Sequence, residues 1–177
     1  MFNSAALLGF FQANANLPHI SKYHCESYIQ HCLLVIGEIS KLTDNNVLIL
    51  AAALHDIAKP RTQGINKRGE PCFYGHEEIT DEELSQFLSM DDPRYLKVKN
   101  LIACHMVPYK ILDPGNFDKT LRKMCRKILH EEPSEDFIAD VMTLHKADDL
   151  GSVRSNDAMS TVKQSCENAE RFLLSLS

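Results

Sequence analysis

The run VLILAAAL (47–54), followed at once by His55 and Asp56, constrains this chain more than any other feature. Eight consecutive apolar residues leave no polar face, so a helix built from them has to be surrounded on every side. The run is also far too short to cross a bilayer, which takes about 20 residues. It reads as the buried central helix of the fold, capped by Asp44 and stopped where Pro60 follows Lys59. A buried His-Asp pair at the end of such a helix poses a chemical problem. An unpaired carboxylate away from water costs several kcal/mol, and ligation to a metal removes that cost.

The rest of the chain reads as helices. One is expected over about 4–14, ahead of Pro18, and a second from about Ser21 to Lys41, where Tyr28, Cys32, Val35, Ile36 and Ile39 recur at helical spacing. Thr80 and Glu83 form a capping box before Leu84, Phe87 and Leu88. Asp92-Pro93 opens a further helix, and others are expected near 118–131, 134–150 and 156–176, with Gly151 as a C-terminal cap. No segment alternates with period two between turn residues, so the class is all-α, and residues 1–177 read as one domain with its motif core at about 23–151. Residues 60–75, with three Gly and two Pro, form the one long loop.

Composition bounds the function. The formal net charge of −5 argues against a surface given over wholly to nucleic acid. Six scattered cysteines (25, 32, 72, 104, 125, 166) without C-x-x-C spacing read as reduced thiols. The apolar N-terminal stretch lacks a basic leader and a cleavage site. The chain is therefore expected to be cytoplasmic and not membrane-bound.

Chemistry concentrates in an ordered series: His31 mid-helix, His55-Asp56 closing the central helix, His76 opening the helix after the long loop, His105 ending the next, and Asp148 late in the helix from about 134. Adjacent residues on a helix point about 100° apart. A metal at the helix edge can then take one ligand from each, with others supplied by neighbouring helices. Hydrolytic divalent metals favour imidazole and carboxylate ligands and keep positions open for water.

His31, LHDIAKP (54–60), GHE (75–77), CHMVP (104–108) and KADD (146–149) together resemble the ordered motifs of the HD phosphohydrolase superfamily. HDIAKPRT is similar to the HD domain that follows the catalytic head of bacterial CCA-adding tRNA nucleotidyltransferases, and to stand-alone HD proteins. Nothing here resembles the nucleotidyltransferase head itself. The resemblance implies a helical HD-domain bundle in which His31, His55, Asp56 and Asp148 hold a first metal. His76 and His105 match positions that hold a second metal in two-metal members, with Asp56 bridging, and that serve phosphate binding or proton transfer in others. Lys59 matches a position that contacts the substrate phosphate, so Asp56 and Lys59 are the expected catalytic residues. The implied cofactor is one or two divalent ions, drawn from Mn, Fe, Ni, Co, Mg or Zn. The implied partner is a phosphorylated small molecule or a nucleic-acid end.

Plainer readings stand beside these. A lone histidine on an apolar helix is ordinarily a core residue, and Lys59 at a helix C-terminus also suits the dipole. His19, His24, His130 and His145 are read as surface or core residues, with His24 nearest the site, two turns before His31 on one helix. Arg61 and Tyr74 in the long loop are expected substrate contacts if that loop is a lid. Lys119, Arg122, Lys123, Arg126 and Lys127 make one basic helical stripe, either a solvated face or a rail for a polyanion. The leading function is a metal-dependent phosphomonoesterase or phosphodiesterase acting on a nucleotide or a nucleic-acid end, with a 2′,3′-cyclic phosphate fitting the resemblance. A di-iron HD-fold oxygenase and a non-catalytic metal-binding module are the alternatives.

Overall fold

Every residue from Leu48 to Leu54 is at most 3% exposed in the computed structural model, which describes residues 1–21, 24–154 and 161–176. These residues belong to a central helix spanning Asn46–Leu54. The preceding helices are α1 (Ser4–Ala13) and α2 (Tyr28–Leu42), so the central helix is α3. It is sheathed by α2, by α6 (Tyr95–Cys104) and by α8 (Glu135–Gly151). The last helix, α9 (Val162–Leu174), lies against α2, and α1 packs on both α2 and α9. Between α3 and α6 lie two short helices, α4 (Lys59–Thr62) and α5 (Asp81–Ser85). α7 (Phe117–Leu129) packs against α6. The molecule is all-α, and no helix among the described residues is long and apolar enough to cross a membrane.

Several boundaries differ from the sequence reading, each for a local reason. α2 starts at Tyr28 rather than near Ser21, because Ser27 and Gln30 form a capping box: the Ser27 hydroxyl accepts the Gln30 N–H, and Gln30 Oε1 accepts the Ser27 N–H. His24 therefore lies off the helix that carries His31. Asn45, not Asp44, caps α3, accepting the Val47 N–H at 3.0 Å. α3 ends at Leu54, and His55 to Ala58 form a turn. Pro60 does not stop a helix. It occupies the first turn of α4, where its missing N–H costs nothing. His76 lies in a turn and opens no helix, and α5 begins at Asp81 behind the Thr80–Glu83 capping box. α6 begins at Tyr95, two residues past Pro93. The last helix is described over Val162–Leu174, and residues 156–160 of the expected one lie outside the described residues.

The long loop holds a small antiparallel hairpin that the sequence reading lacked, β1 (Gly64–Ile65) with β2 (Pro71–Cys72). Asn66 Oδ1 accepts the N–H groups of Arg68 and Glu70 across its tip, and Gly69 takes the positive φ of 79° that closes the turn. Two-residue strands are too short to show an alternating pattern.

Gly151 has a different role from the expected cap. It is the last helical residue of α8, and Ser152 is the C-cap. A Cβ at 151 would lie 2.5 Å from Val35 Cγ2 and 2.9 Å from the Val35 nitrogen. Only glycine lets the end of α8 lie directly on α2, and that approach brings Asp148 to His31. The basic stripe of α7 is partly neutralised, since Arg122 pairs with Glu135 and Arg126 with Glu132. All six cysteines are unpaired.

Candidate metal centre

The turn after α3 is the keystone of the site. Tyr28, fully buried on α2, donates its hydroxyl to the Asp56 carbonyl at 3.2 Å, so backbone geometry at the His-Asp pair is held from the neighbouring helix. His31, His55, Asp56 and His105 are each at most 2% exposed, with His76 and Asp148 at 7%.

Asp56 faces two groups of donors at once. Its Oδ2 lies 3.2 Å from His55 Nε2 and 3.4 Å from His31 Nε2. Its Oδ1 lies 3.4 Å from His76 Nε2. Asp148 Oδ1 completes the first group, 3.2 Å from His31 Nε2 and 3.7 Å from His55 Nε2. His76 Nε2 and His105 Nε2 face each other at 3.2 Å in the second. Two clusters able to hold an ion result, His31–His55–Asp56 and Asp56–His76–His105, sharing one carboxylate.

Hydrogen bonding decides what these donors need. His76 Nδ1 lies 2.7 Å from the Phe73 carbonyl oxygen and His105 Nδ1 lies 2.6 Å from that of Ile102. Both N–H groups are thereby used on the far side of each ring, and both Nε2 atoms carry lone pairs. Burial, with the neighbouring His76 and His55, lowers His105 to about 3, and burial lowers His76 as well. Two neutral imidazoles thus aim lone pairs at each other at 3.2 Å, a repulsion that a shared cation relieves, while burial disfavours the proton that could otherwise bridge them. Asp56 Oδ2 is crowded by cations, with Lys59 Nζ 2.5 Å, His55 Nε2 3.2 Å and His31 Nε2 3.4 Å away, none of them in normal hydrogen-bond geometry. The donor set fits one or two divalent ions.

The first group carries its charge in another way. Burial disfavours imidazolium at His55, but Asp56 and Asp148 outweigh it and raise His55 to about 9. His31 is likewise raised against burial by Asp148, Asp56 and Glu26. Burial opposes ionisation of Asp56 and Asp148, yet the adjacent cations keep both well below the usual carboxylate range. Without a metal, protons on His31 and His55 do what a divalent ion does when bound.

Lys59 is 6% exposed and begins α4, so it does not serve the C-terminal dipole of the central helix. Its Nζ lies 2.5 Å from Asp56 Oδ2, 3.1 Å from His19 Nε2 and 5.4 Å from the Phe73 ring centroid. Asp149, beside Asp148, instead pairs with Arg154. Arg61, expected at the substrate, is committed elsewhere: Nε lies 2.7 Å from Glu83 Oε1 and Nη2 3.0 Å from the Glu78 carbonyl oxygen. Tyr74 is 80% exposed next to Phe73.

Two residues near the centre, Glu26 and Tyr109, went unread in the sequence, and His19 is read there only as a surface or core residue. His19 and Glu26 are buried at 2% and 0%, and Tyr109 donates its hydroxyl to Asp148 Oδ2 at 3.2 Å. None sits in an apolar periodic pattern. The one available signal was the crowding of His19 and His24 shortly before His31.

The family model described as HD domain matches residues 28–152, and the chain belongs to that family. An HD domain is a metal-dependent phosphohydrolase-type domain that binds divalent metals, and the buried His and Asp clusters fit that use. Comparisons with curated proteins and with solved structures returned no match. His19, His24 and Glu26 precede the matched residues.

Proposed function

We propose that this protein hydrolyses a phosphoric ester of a nucleotide or of a nucleic-acid end, with a 2′,3′-cyclic phosphate as the form favoured by the HDIAKPRT resemblance. The observation that carries this reading is Asp56, shared between two donor clusters, with the buried ammonium of Lys59 against it. Divalent ions supply Lewis acidity and water acidified to near-neutral pKa. His31, His55 and Asp148 would hold one ion, His76 and His105 another, and Asp56 both. Tyr109 fixes Asp148 by occupying Oδ2, leaving Oδ1 toward His31 and His55. Lys59 offers positive charge to a phosphoryl oxygen as negative charge grows there. A buried ammonium beside the ligands suits an anionic substrate and supports hydrolysis over the oxygenase alternative.

The test is turnover of bis-p-nitrophenyl phosphate, 2′,3′-cyclic AMP, nucleoside monophosphates and deoxynucleoside triphosphates with Mn²⁺, Ni²⁺, Co²⁺, Mg²⁺ or Fe²⁺, with Asp56→Ala as control. Hydrolysis that is lost in the variant is the expected result. Metal-loaded protein with no turnover on any substrate overturns the reading, and a mixed-valence iron signal in such protein would favour the oxygenase.

A further inference from the structure

The four imidazoles of the centre are not held alike. His55, His76 and His105 each end a helix or sit in a turn, where the carbonyl three residues back is open to a side chain. Their Nδ1 atoms lie 2.8, 2.7 and 2.6 Å from the carbonyl oxygens of Ala52, Phe73 and Ile102. His31 cannot use this device. It is the fourth residue of α2, inside the helical ladder, so its Nδ1–H needs a partner from outside the helix. Two lie within reach, each at 3.4 Å: the Gly151 carbonyl oxygen, in hydrogen-bond geometry, and Glu26 Oε1, as an ion-pair contact.

Glu26 is fully buried and held on both oxygens. Oε2 accepts the Val153 N–H at 3.0 Å, and Oε1 lies 2.6 Å from His24 Nδ1. The segment after α8 and the segment before α2 thus aim one carboxylate at the back of one imidazole. His19, His24 and Glu26 lie close enough to hold an ion of their own, but their contacts are already closed. His19 Nδ1 lies 3.2 Å from the Glu26 carbonyl oxygen and its Nε2 3.1 Å from the Lys59 ammonium, which would also repel a cation. The unshared lone pairs found between His76 and His105 have no counterpart there.

We propose that Glu26 is a positioning residue for the metal centre: its Oε1 accepts the His31 Nδ1–H, fixing the tautomer that turns the Nε2 lone pair toward Asp56 and Asp148 and strengthening that nitrogen as a ligand. The inference rests on His31 being a ligand, as the proposed function requires. It assigns a role to a residue outside the stretch matched by the family.

Isothermal titration of wild-type protein and Glu26→Gln with Mn²⁺ tests it without any turnover assay. The glutamine amide keeps the shape and one acceptor but loses the charge. Metal affinity is expected to fall about 10- to 100-fold, while the metal-free melting temperature stays near that of the wild type. A residue with only a structural role would lower melting and leave the affinity of the folded fraction unchanged. Long-range ¹H–¹⁵N spectra of Zn²⁺-loaded wild-type protein and Glu26→Gln provide a second readout. His31 is expected to carry its proton on Nδ1, and that proton is expected to move upfield in Glu26→Gln while those of His55, His76 and His105 stay in place. Wild-type-like Mn²⁺ affinity in folded Glu26→Gln, or a His31 Nδ1–H shift unchanged by that substitution, overturns the inference alone. Metal binding with no hydrolysis overturns the proposed function alone, and absence of metal binding by the wild type overturns both.

Discussion

Between His76 and His105 two buried lone pairs face each other, and between His55 and Asp56 a proton or a metal must intervene. These local facts make different residues count differently. His105→Ala removes a donor from one cluster only, and should lower bound metal by about one ion per chain. Asp56→Ala removes the carboxylate common to both clusters, and should leave almost none. Elemental analysis of protein loaded with Mn²⁺ and desalted separates these outcomes, and equal losses in the two variants would mean that Asp56 does not bridge. A residue far from this chemistry offers a control on stability. His130 closes α7 at φ 60°, a left-handed conformation in which a Cβ is disfavoured. His130→Gly should stabilise the protein by about 1 kcal/mol, read as a higher urea midpoint with no change in metal content.

At the scale of elements, the site depends on how closely α8 meets α2. Gly151→Ala would place a methyl group 2.5 Å from Val35 Cγ2 and 2.9 Å from the Val35 nitrogen, and the backbone cannot yield as a flexible side chain would. A cost of about 1–3 kcal/mol is expected for such overpacking. Asp148 should shift with the helix, weakening metal binding in the same variant. Unaltered melting and affinity together would show that the contact relaxes without moving the helix. The start of α6 gives a pH-dependent case. The Asp92 carboxylate accepts from Arg94 Nε and Nη2 and from the Arg94 backbone, and lies 3.3 Å from the N-terminal amine. Chiefly through the Arg94 side chain, its pKa falls below the ordinary value. A depressed folded-state pKa means the stabilisation is complete above about pH 4 and is lost as pH falls toward the folded-state value. Asp92→Asn should therefore cost about 1 kcal/mol at pH 7 and progressively less in acid, as denaturant titrations at several pH values would show.

These elements also explain what the sequence could reveal. The all-apolar run of α3 and the Thr80–Glu83 box are local signals, and both describe what their own segments do. His31, His55, Asp56, His76, His105 and Asp148 could be read together because they form an ordered series. Glu26, His19 and Tyr109 could not, since each acts through a residue distant in sequence: Val153, Lys59 and Asp148 respectively. Gly151 was visible as a helix-ending glycine, but its reason, the Val35 backbone, exists only once α2 and α8 are packed. Arg61 looked available to a phosphate until α5 placed Glu83 beside it.

For the molecule as a whole, the centre is a source of instability as well as of chemistry. Asp56, Asp148, Lys59, His31 and His55 bring several charges into a region that is at most 7% exposed, and the mutual pairing of such groups offsets their desolvation only in part. With both rings neutral and their Nδ1–H groups bonded elsewhere, the facing lone pairs of His76 and His105 add a repulsion. A metal ion would answer both, and it would bind the folded chain, in which α2, α3, α6 and α8 bring the donors together. Folding and metal binding would therefore be coupled. At free metal about 100-fold above the dissociation constant, the folded state should gain about 2.7 kcal/mol. For a chain of this size each kcal/mol moves the melting temperature by about 2–4 °C. Chelator-treated protein is thus expected to melt about 5–10 °C below protein refilled with Mn²⁺, a difference that Asp56→Ala should abolish. Differential scanning calorimetry on the three samples measures this directly. Equal melting of chelated and refilled wild-type protein would mean that the buried donors are satisfied by protons alone and that the cluster holds no metal in the folded chain.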